Sequence, residues 1–344
     1  MIKTCIVGAS GYTGADLVKL VSQHRSFDLH QVFVSANSAD AHKPIDSLHA
    51  SLIGICDLSL TPLSDDMLEQ LAWDYDVIFL ATPHEASHAW MPTLAGKRAV
   101  ILDLSGAYRI KDAAVFEQFY GFAHNDDNWR EQAVYGLAEW YPKAISDASV
   151  VAVPGCYPTA SLSGLKPLMQ AGLLDTQVRP VINAISGVSG AGRKAALSNS
   201  FCEVGLQAYG ILGHRHTPEI EAYLGTQVIF TPHLGTFKRG ILATITVKCQ
   251  TGTTAAQVQD AFSQAYAGQA LVRLRNTAPK LDDVVGTPHC DVYYAYDAQS
   301  HYAVVTVAID NVLKGAAAQA LQCANLTQGL PVNSGLLNQP VEVV

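Results

Sequence analysis

Along the first 155 residues, short apolar runs alternate with stretches whose apolar positions recur at helical spacing. The runs at Lys3–Val7, Leu29–Val34, Tyr75–Ala81, Ala99–Leu104 and Ser149–Val153 predict strands. Thr13–Gln23, Ser64–Ala72 and Ala86–Ala95 carry the helical period. Runs such as VIFLA and AVILDL are apolar almost throughout, which implies burial on both faces of a parallel sheet with helical crossovers.

After Val153 the texture changes. Longer strands are predicted at Pro180–Ile185, Val228–Thr231 and Arg239–Lys248, and Tyr293–Tyr296 with Tyr302–Ala308 form a candidate antiparallel pair around DAQSH. Thr159–Ala171, Thr254–Tyr266 and Gly315–Leu326 read as helices. The pattern therefore predicts an α/β chain of two parts. Residues 1–155 form a Rossmann-type, parallel-sheet domain, and residues 156–314 form an α/β domain with a mixed, largely antiparallel sheet. The segment 315–344 is expected to pack back on the first domain.

The first strand runs into GASGYTG, residues 8–14, which opens the first helix. Glycines there let the backbone approach a pyrophosphate while the positive helix end faces it. Gly8, Ser10, Gly11, Tyr12, Thr13 and Gly14 are thus candidate dinucleotide ligands, with a plain tight turn as the alternative. The second strand ends VFVSANS, with no acid before Asp40. An acid would bind a free ribose 2′-hydroxyl, whereas Ser35 and Ser38, with Lys43 nearby, suit a 2′-phosphate, so the cofactor expected is NADP(H).

His84-Glu85-Ala86-Ser87-His88 matches H-E-x-x-H, the zinc-hydrolase pattern. It directly follows Pro83 at a strand end, where a dinucleotide fold places its cofactor, and no third ligand is evident. The expected reading is a helix-start histidine pair and no metal.

VPGCYPT, residues 153–159, places Cys156 at the exit of a strand just before a helix. A helix N-terminus favours the thiolate, which makes Cys156 a candidate nucleophile against the alternative of a buried structural thiol. A nucleophile needs an acid/base partner. GHRHTPE, residues 213–219, offers His214 or His216, with Arg215 and Glu219 beside them. Residues 187–193, GVSGAGR, are either a flexible turn or a backbone cradle ending in the positive charge of Arg193.

Composition narrows the class. Net charge is −8 with scattered basic residues, which argues against a nucleic-acid or anionic-membrane surface and leaves room for a small anion held locally. The seven cysteines are dispersed and include no C-x-x-C pair, a reduced, cytoplasmic pattern. There is no signal-peptide layout and no apolar stretch near the roughly 18 residues a bilayer span requires.

Taken in order, GASGYTG, AVPGCYPTASLSGLKP, SGVSGAGR, HRHTPEI and DNVLKGAA closely resemble the N-acetyl-γ-glutamyl-phosphate reductase family, over almost the whole chain. That family belongs with the aspartate-semialdehyde and glyceraldehyde-phosphate dehydrogenases. The resemblance implies NADPH-dependent reductive dephosphorylation of N-acetyl-L-glutamyl 5-phosphate in arginine biosynthesis, through a thioacyl intermediate on Cys156. It favours His214 over His216 as the acid/base. It makes Ser105 and Arg109 of LSGAYR candidate substrate-phosphate contacts, alongside Arg193, Arg215 and Glu219. It also points to Ser186, Gly187, Gly190 and Asn311 as nicotinamide-side contacts, and to a homo-oligomer. An aspartyl or aminoadipyl semialdehyde dehydrogenase is the nearest alternative. A zinc hydrolase and a non-catalytic NADP-binding regulator lie further off.

Overall fold

In a computed structural model, which describes residues 1–337, the chain divides into two units. The first comprises Met1–Lys111, Asn125–Pro154 and the C-terminal segment from Ala316, and the second Asp112–His124 with Gly155–Gly315. Of the expected C-terminal segment, residues 338–344 lie outside the described residues.

Chain order begins β1 (Ile2–Val7), α1 (Tyr12–Ser22), β2 (Phe27–Ser35), β3 (Leu60–Leu63), α2 (Leu68–Asp74), β4 (Val77–Leu80), α3 (His84–Leu94) and β5 (Val100–Asp103). It continues through α4 (Ala113–Tyr120), which belongs to the second unit, α5 (Asp127–Gln132), β6 (Val134–Tyr135), α6 (Pro142–Ser146) and β7 (Val150–Ala152). The seven strands of the first unit form one sheet in the order β3-β2-β1-β4-β5-β7-β6, every pair parallel. β4 is buried along its whole length, as its unbroken apolar run requires. α1 turns Leu17, Val18 and Val21 inward, the three- and four-residue spacing that puts side chains on one helix face. The strand order reverses between β1 and β4, the place where open α/β sheets bind their ligands.

The second unit continues with α7 (Cys156–Gln170), β8 (Val181–Ser186), β9 (Gln207–Ala208), α8 (His216–Leu224), β10 (Ile229–Leu234), β11 (Ile241–Lys248), α9 (Ala255–Ala265), β12 (Val272–Leu274), β13 (Cys290–Asp297) and β14 (Tyr302–Ile309). Its sheet runs β12-β13-β14-β11-β8-β10-β9 and is mixed. β12–β13 and β8–β10 are parallel and the other pairs antiparallel. The predicted hairpin around DAQSH pairs antiparallel from Cys290↔Ile309 to Asp297↔Tyr302. α7 and α9 pack on one face of this sheet, and Leu162, Leu165 and Leu168 of α7 are fully buried. The last helix, α10 (Ala318–Thr327), lies in the first unit against α1 and α6.

α7 starts at Cys156, three residues earlier than the expected Thr159. Pro158 is compatible with that start, because the first turn of a helix has no intrahelical partner for its N–H groups. α8 was not expected at all.

Candidate active site

Cys156 is the first helical residue of α7 and is half-buried. Gly155, the N-cap, is extended at φ −66° and ψ 158° and brings no side chain of its own. Its two backbone groups are both held. The Gly155 N–H donates to Glu219 Oε1 at 2.8 Å, and the Gly155 carbonyl accepts from the Thr159 N–H and hydroxyl, each at 2.9 Å. Glu219 is fully buried in α8, so its carboxylate fixes the turn that delivers the thiol. Gly315 closes the other side: a Cβ at that position would lie 2.8 Å from Cys156 Cβ and 3.2 Å from its Cα. The thiol therefore stands at the positive end of a 15-residue helix, with its backbone clamped on two sides.

The two histidines differ. His216 is buried at the start of α8, and His214 is half-buried in the turn before it. The His216 backbone N–H donates to His214 Nδ1 at 3.1 Å. Around His214 stand Tyr157, Tyr209 and Phe230, all edge-on, with ring centroids at 5.6, 5.5 and 5.5 Å. Tyr157 also meets His216 at 5.9 Å, so the residue after the nucleophile touches both. Its hydroxyl pairs with the Tyr209 hydroxyl at 3.1 Å and donates to the His233 carbonyl at 3.3 Å. Burial pushes both phenols up in pKa, so they stay protonated at neutral pH. Burial, and then the neighbouring Arg215 charge, lowers His214 to about 4. Arg215 itself is exposed.

The expected nicotinamide-side residues gather in the same unit. Ser186 ends β8 and is buried, and Asn311, also buried, follows β14. Asn311 Oδ1 accepts from the Gly240 N–H at 2.7 Å, and Nδ2 donates to Ser189 Oγ at 3.0 Å. A Cβ on Gly190 would lie 3.5 Å from Ser186 Oγ and 3.6 Å from Asn311 Nδ2, which brings the three residues to one place. Gly187 lies so close to Lys238 and Arg239 that a Cβ there would meet their backbone at 2.7 Å. Beneath them Asp310 is fully buried and accepts from the Arg239 guanidinium at 2.9 Å and from the Val312, Leu313 and Gly286 N–H groups. Arg193 is exposed on the loop beyond.

In the first unit the glycine turn has the shape a pyrophosphate needs. Gly8 sits at φ +85°, and a Cβ on it would fall 2.2 Å from the Ala81 carbonyl oxygen. Gly14 is equally tight against Gly8 and Ala9, at 2.3 and 2.6 Å, while Gly11 has room. No side chain caps α1, so its first N–H groups, from Tyr12, Thr13 and Gly14, remain for an anion. The Ser10 carbonyl takes a bond from His49 Nε2 at 3.0 Å. At the end of β2, Lys43 pairs with Asp40 at 3.1 Å, which neutralises the one acid in the stretch. Ser35 is exposed, and Ser38 Oγ accepts from the Asp40 N–H.

Ser105 and Arg109, expected at the substrate phosphate, are both buried in this unit and engaged there. Ser105 Oγ donates to Asp103 Oδ2 at 2.9 Å, and Arg109 donates to the carbonyls of Val153 and Leu104 at 2.8 and 2.7 Å. These bonds support the loop that carries both residues. The Asp103 carboxyl beneath is raised by full burial, an effect the Ser105 bonds oppose. The histidines of HEASH lie one turn apart in α3, but His84 Nδ1 accepts from the Gly106 N–H and His88 Nε2 from the Asn125 N–H. One nitrogen of each ring is thus committed to the backbone. Among the described residues no three His, Cys, Asp or Glu side chains gather as metal ligands.

Tyr157, Tyr209 and Gly315 were not singled out in the sequence. Tyr157 lies inside VPGCYPT and Gly315 inside DNVLKGAA, the motifs that carry Cys156 and Asn311.

Known proteins of one enzyme family resemble this chain. Residues 3–148 match the family described as semialdehyde dehydrogenase, NAD binding domain, and residues 156–311 match semialdehyde dehydrogenase, dimerisation domain. A protein of Pseudoalteromonas atlantica named N-acetyl-γ-glutamyl-phosphate reductase is 61% identical over 98% of this chain and 99% of its own. One of the same name from Alteromonas mediterranea is 62% identical over 98% of this chain and all of its own. Aspartate semialdehyde dehydrogenase II from Vibrio cholerae shares the fold with a TM-score of 0.72, at 18% identity, over 96% of this chain and 98% of its own. The Candida albicans aspartate semialdehyde dehydrogenase solved with NADP does so with a TM-score of 0.67, at 13% identity, over 95% of this chain and 98% of its own.

Proposed function

Because the chain belongs to the N-acetyl-γ-glutamyl-phosphate reductase family, we propose that it reduces N-acetyl-L-glutamyl 5-phosphate to N-acetyl-L-glutamate 5-semialdehyde and phosphate, in arginine biosynthesis. The observation that carries this reading is Cys156 at the first position of α7, with Glu219 and Gly315 fixing its backbone. A thiolate there attacks the acyl carbon and expels inorganic phosphate, and the thioester formed splits one hard step into two easier ones. NADPH, when bound, supplies the hydride that takes the thioester to the aldehyde level. His214 attends the oxygen on which negative charge develops.

The cofactor would be held by Gly8, Ser10, Gly11, Tyr12, Thr13 and Gly14 at its pyrophosphate and by Ser35 and Ser38 at its 2′-phosphate. Ser186, Gly187, Gly190 and Asn311 would attend the nicotinamide. Arg193 and Arg215, both exposed, supply the positive charge for the acyl phosphate, and Glu219 acts by positioning Gly155. We place the enzyme in the cytoplasm, where its seven free thiols stay reduced. No helix among the described residues is long and apolar enough to cross a membrane. We also propose a homo-oligomer joined through the second sheet's outer face, where Thr244, Tyr302 and Val304 are exposed. Its mass in solution is then a multiple of the chain's, and a monomer would contradict this part.

The decisive assay runs in reverse, with NADP⁺ and phosphate, on the acetylglutamyl, aspartyl and aminoadipyl semialdehydes. The acetylglutamyl compound is expected to lead in kcat/KM by about 100-fold or more, since the pocket must satisfy its amide. Equal or better turnover of aspartate semialdehyde would favour the nearest alternative. In the forward direction NADH is expected to be the poorer donor, and parity with NADPH would remove Ser35 and Ser38 from the 2′-phosphate.

A further inference from the structure

We propose that Asp310 and Arg239 form a positioning pair for the reaction. The buried carboxylate fixes the turn that presents Asn311 to the loop at 186–190 and seats Gly315 on Cys156. The pair acts through those residues, not on the reactants. What Asn311 and Cys156 do in turnover rests on the reductase reading above, whereas the place of the turn rests on its own bonds.

Asp310 directly follows β14 and Arg239 precedes β11, at adjoining ends of two paired strands where Ile309 faces Ile241. Asp310 Oδ1 accepts from the Val312 and Leu313 N–H groups at 2.9 and 3.0 Å. Arg239 Nη2 and Nε reach the same oxygen at 2.9 and 3.3 Å. Oδ2 accepts from the Gly286 N–H at 2.8 Å. All these donors are N–H groups, so both oxygens must accept, which a carboxylate offers and an amide does not. One side chain thus ties together segments at 239, 286 and 312–313 that lie far apart in the chain.

The turn so held carries two groups of the site. Asn311 Oδ1 accepts from the Gly240 N–H at 2.7 Å, so the residue after Asp310 returns to the residue after Arg239. Its Nδ2 reaches Ser189 Oγ at 3.0 Å. The same loop is bound to the approach to β11: the Ser189 N–H donates to the Lys238 carbonyl and the Gly187 N–H to the Gly240 carbonyl. On the other side the Asp310 carbonyl accepts from the Gly315 N–H at 2.9 Å, within a single π-type turn at Leu313–Ala317. Such widened turns recur at functional sites. Here it sets the Gly315 backbone where a Cβ would stand 2.8 Å from Cys156 Cβ.

A neutral side chain could cap this turn. The Val312 and Leu313 N–H groups need only an Asn or Ser oxygen. Burying a carboxylate against a guanidinium adds a desolvation cost that their attraction does little more than offset. The pair is therefore a poor source of stability and a good means of fixing geometry. Asp310 is fully buried, while the Arg239 side chain is 29% exposed, so the guanidinium can be changed without opening the core.

The test compares Asp310→Asn, Arg239→Gln and Arg239→Lys with wild type, in turnover and in amide hydrogen exchange without substrate. Asp310→Asn sets a donor where an acceptor stood, and kcat is expected to fall by about 10- to 100-fold, as displacement of a reacting group does. Arg239→Gln is expected to lower kcat by about tenfold. Because both guanidinium nitrogens reach one oxygen, a point charge can replace them, and Arg239→Lys should return to within about threefold of wild type. The KM for NADPH should move by less than about threefold, because the glycine turn belongs to the other unit. Wild-type kcat in Arg239→Gln, or no recovery in Arg239→Lys, would overturn the proposal even where Asp310→Asn fails to fold. In Arg239→Gln, exchange at the Gly315 and Thr159 amides is expected to quicken by about threefold or more. Quickening at Gly315 with Thr159 unchanged would mean a purely local, structural role and overturn the proposal. A chain that turned over no acyl phosphate would sink the reductase reading alone, since amide exchange reports the coupling of this turn to α7 without substrate.

Discussion

Replacing Cys156 with serine is expected to lower phosphate-dependent turnover by on the order of 10⁴-fold or more, as loss of a nucleophile does. The reason is chemical as well as steric. A thiol is partly ionised near neutral pH, and a helix N-terminus pushes it further toward the thiolate. A serine hydroxyl in the same place stays neutral at that pH and is far the weaker nucleophile. The backbone at 155–156 should not change, because Glu219 holds the Gly155 N–H and Thr159 its carbonyl. NADPH affinity should stay within about twofold of wild type, because the glycine turn belongs to the other unit. Turnover near the wild-type rate would contradict the thioacyl reading.

The second large effect is expected at a residue that carries no functional group. Gly315→Ala places a methyl 2.8 Å from Cys156 Cβ, well inside contact distance. Either the start of α7 or the turn that contains Gly315 must shift by a few tenths of an ångström or more. Displacements of about 1 Å in a reacting group cost about 100-fold, so kcat should fall by about 10- to 100-fold. The KM for NADPH should hardly move. Gly205→Ala is the control: nothing lies within 4 Å of its Cβ position, and its φ is ordinary. If Gly315→Ala matched this control in kcat, the packing of Gly315 on Cys156 would have no part in catalysis.

Both predictions depend on structure that was only partly visible in the sequence. Five of the seven strands of the first sheet were legible because β4 is apolar throughout and the others nearly so, whereas the short edge strands β3 and β6 were not. α1 was legible because Leu17, Val18 and Val21 recur on one face. α8 was not. HTPEIEAYL offers only Ile220 and Leu224 at helical spacing, with Pro218 and two glutamates between the caps, so its helix comes from packing against α7. The start of α7 was misplaced because Pro158 reads as a beginning from sequence, yet a proline is equally at home in the first turn.

The site was legible where chemistry sits in a local frame and hidden where it depends on burial. Cys156 stood out through its strand exit, and GASGYTG through its place after β1. Ser105 and Arg109 entered only by resemblance, and their bonds to Asp103, Leu104 and Val153 arise from tertiary packing that no spacing announces. The same holds for Glu219. A glutamate three residues beyond a histidine reads as substrate-facing, and its full burial against Gly155 appears only once α7 and α8 are packed. His214 and His216 look alike in HRH, and their unequal burial and the bond from the His216 N–H to His214 Nδ1 make them different.

The central claim is that the acyl group passes through Cys156. The direct measurement is to mix the protein with N-acetyl-L-glutamyl 5-phosphate in the absence of NADPH, quench in acid, and weigh the intact chain and its peptides. The account predicts one equivalent of phosphate released and one N-acetylglutamyl group on the Cys156 peptide, removed on adding NADPH and absent from Cys156→Ser. Phosphate release with no acylated Cys156 peptide, or an acyl group on the same peptide of Cys156→Ser at equal yield, would contradict it.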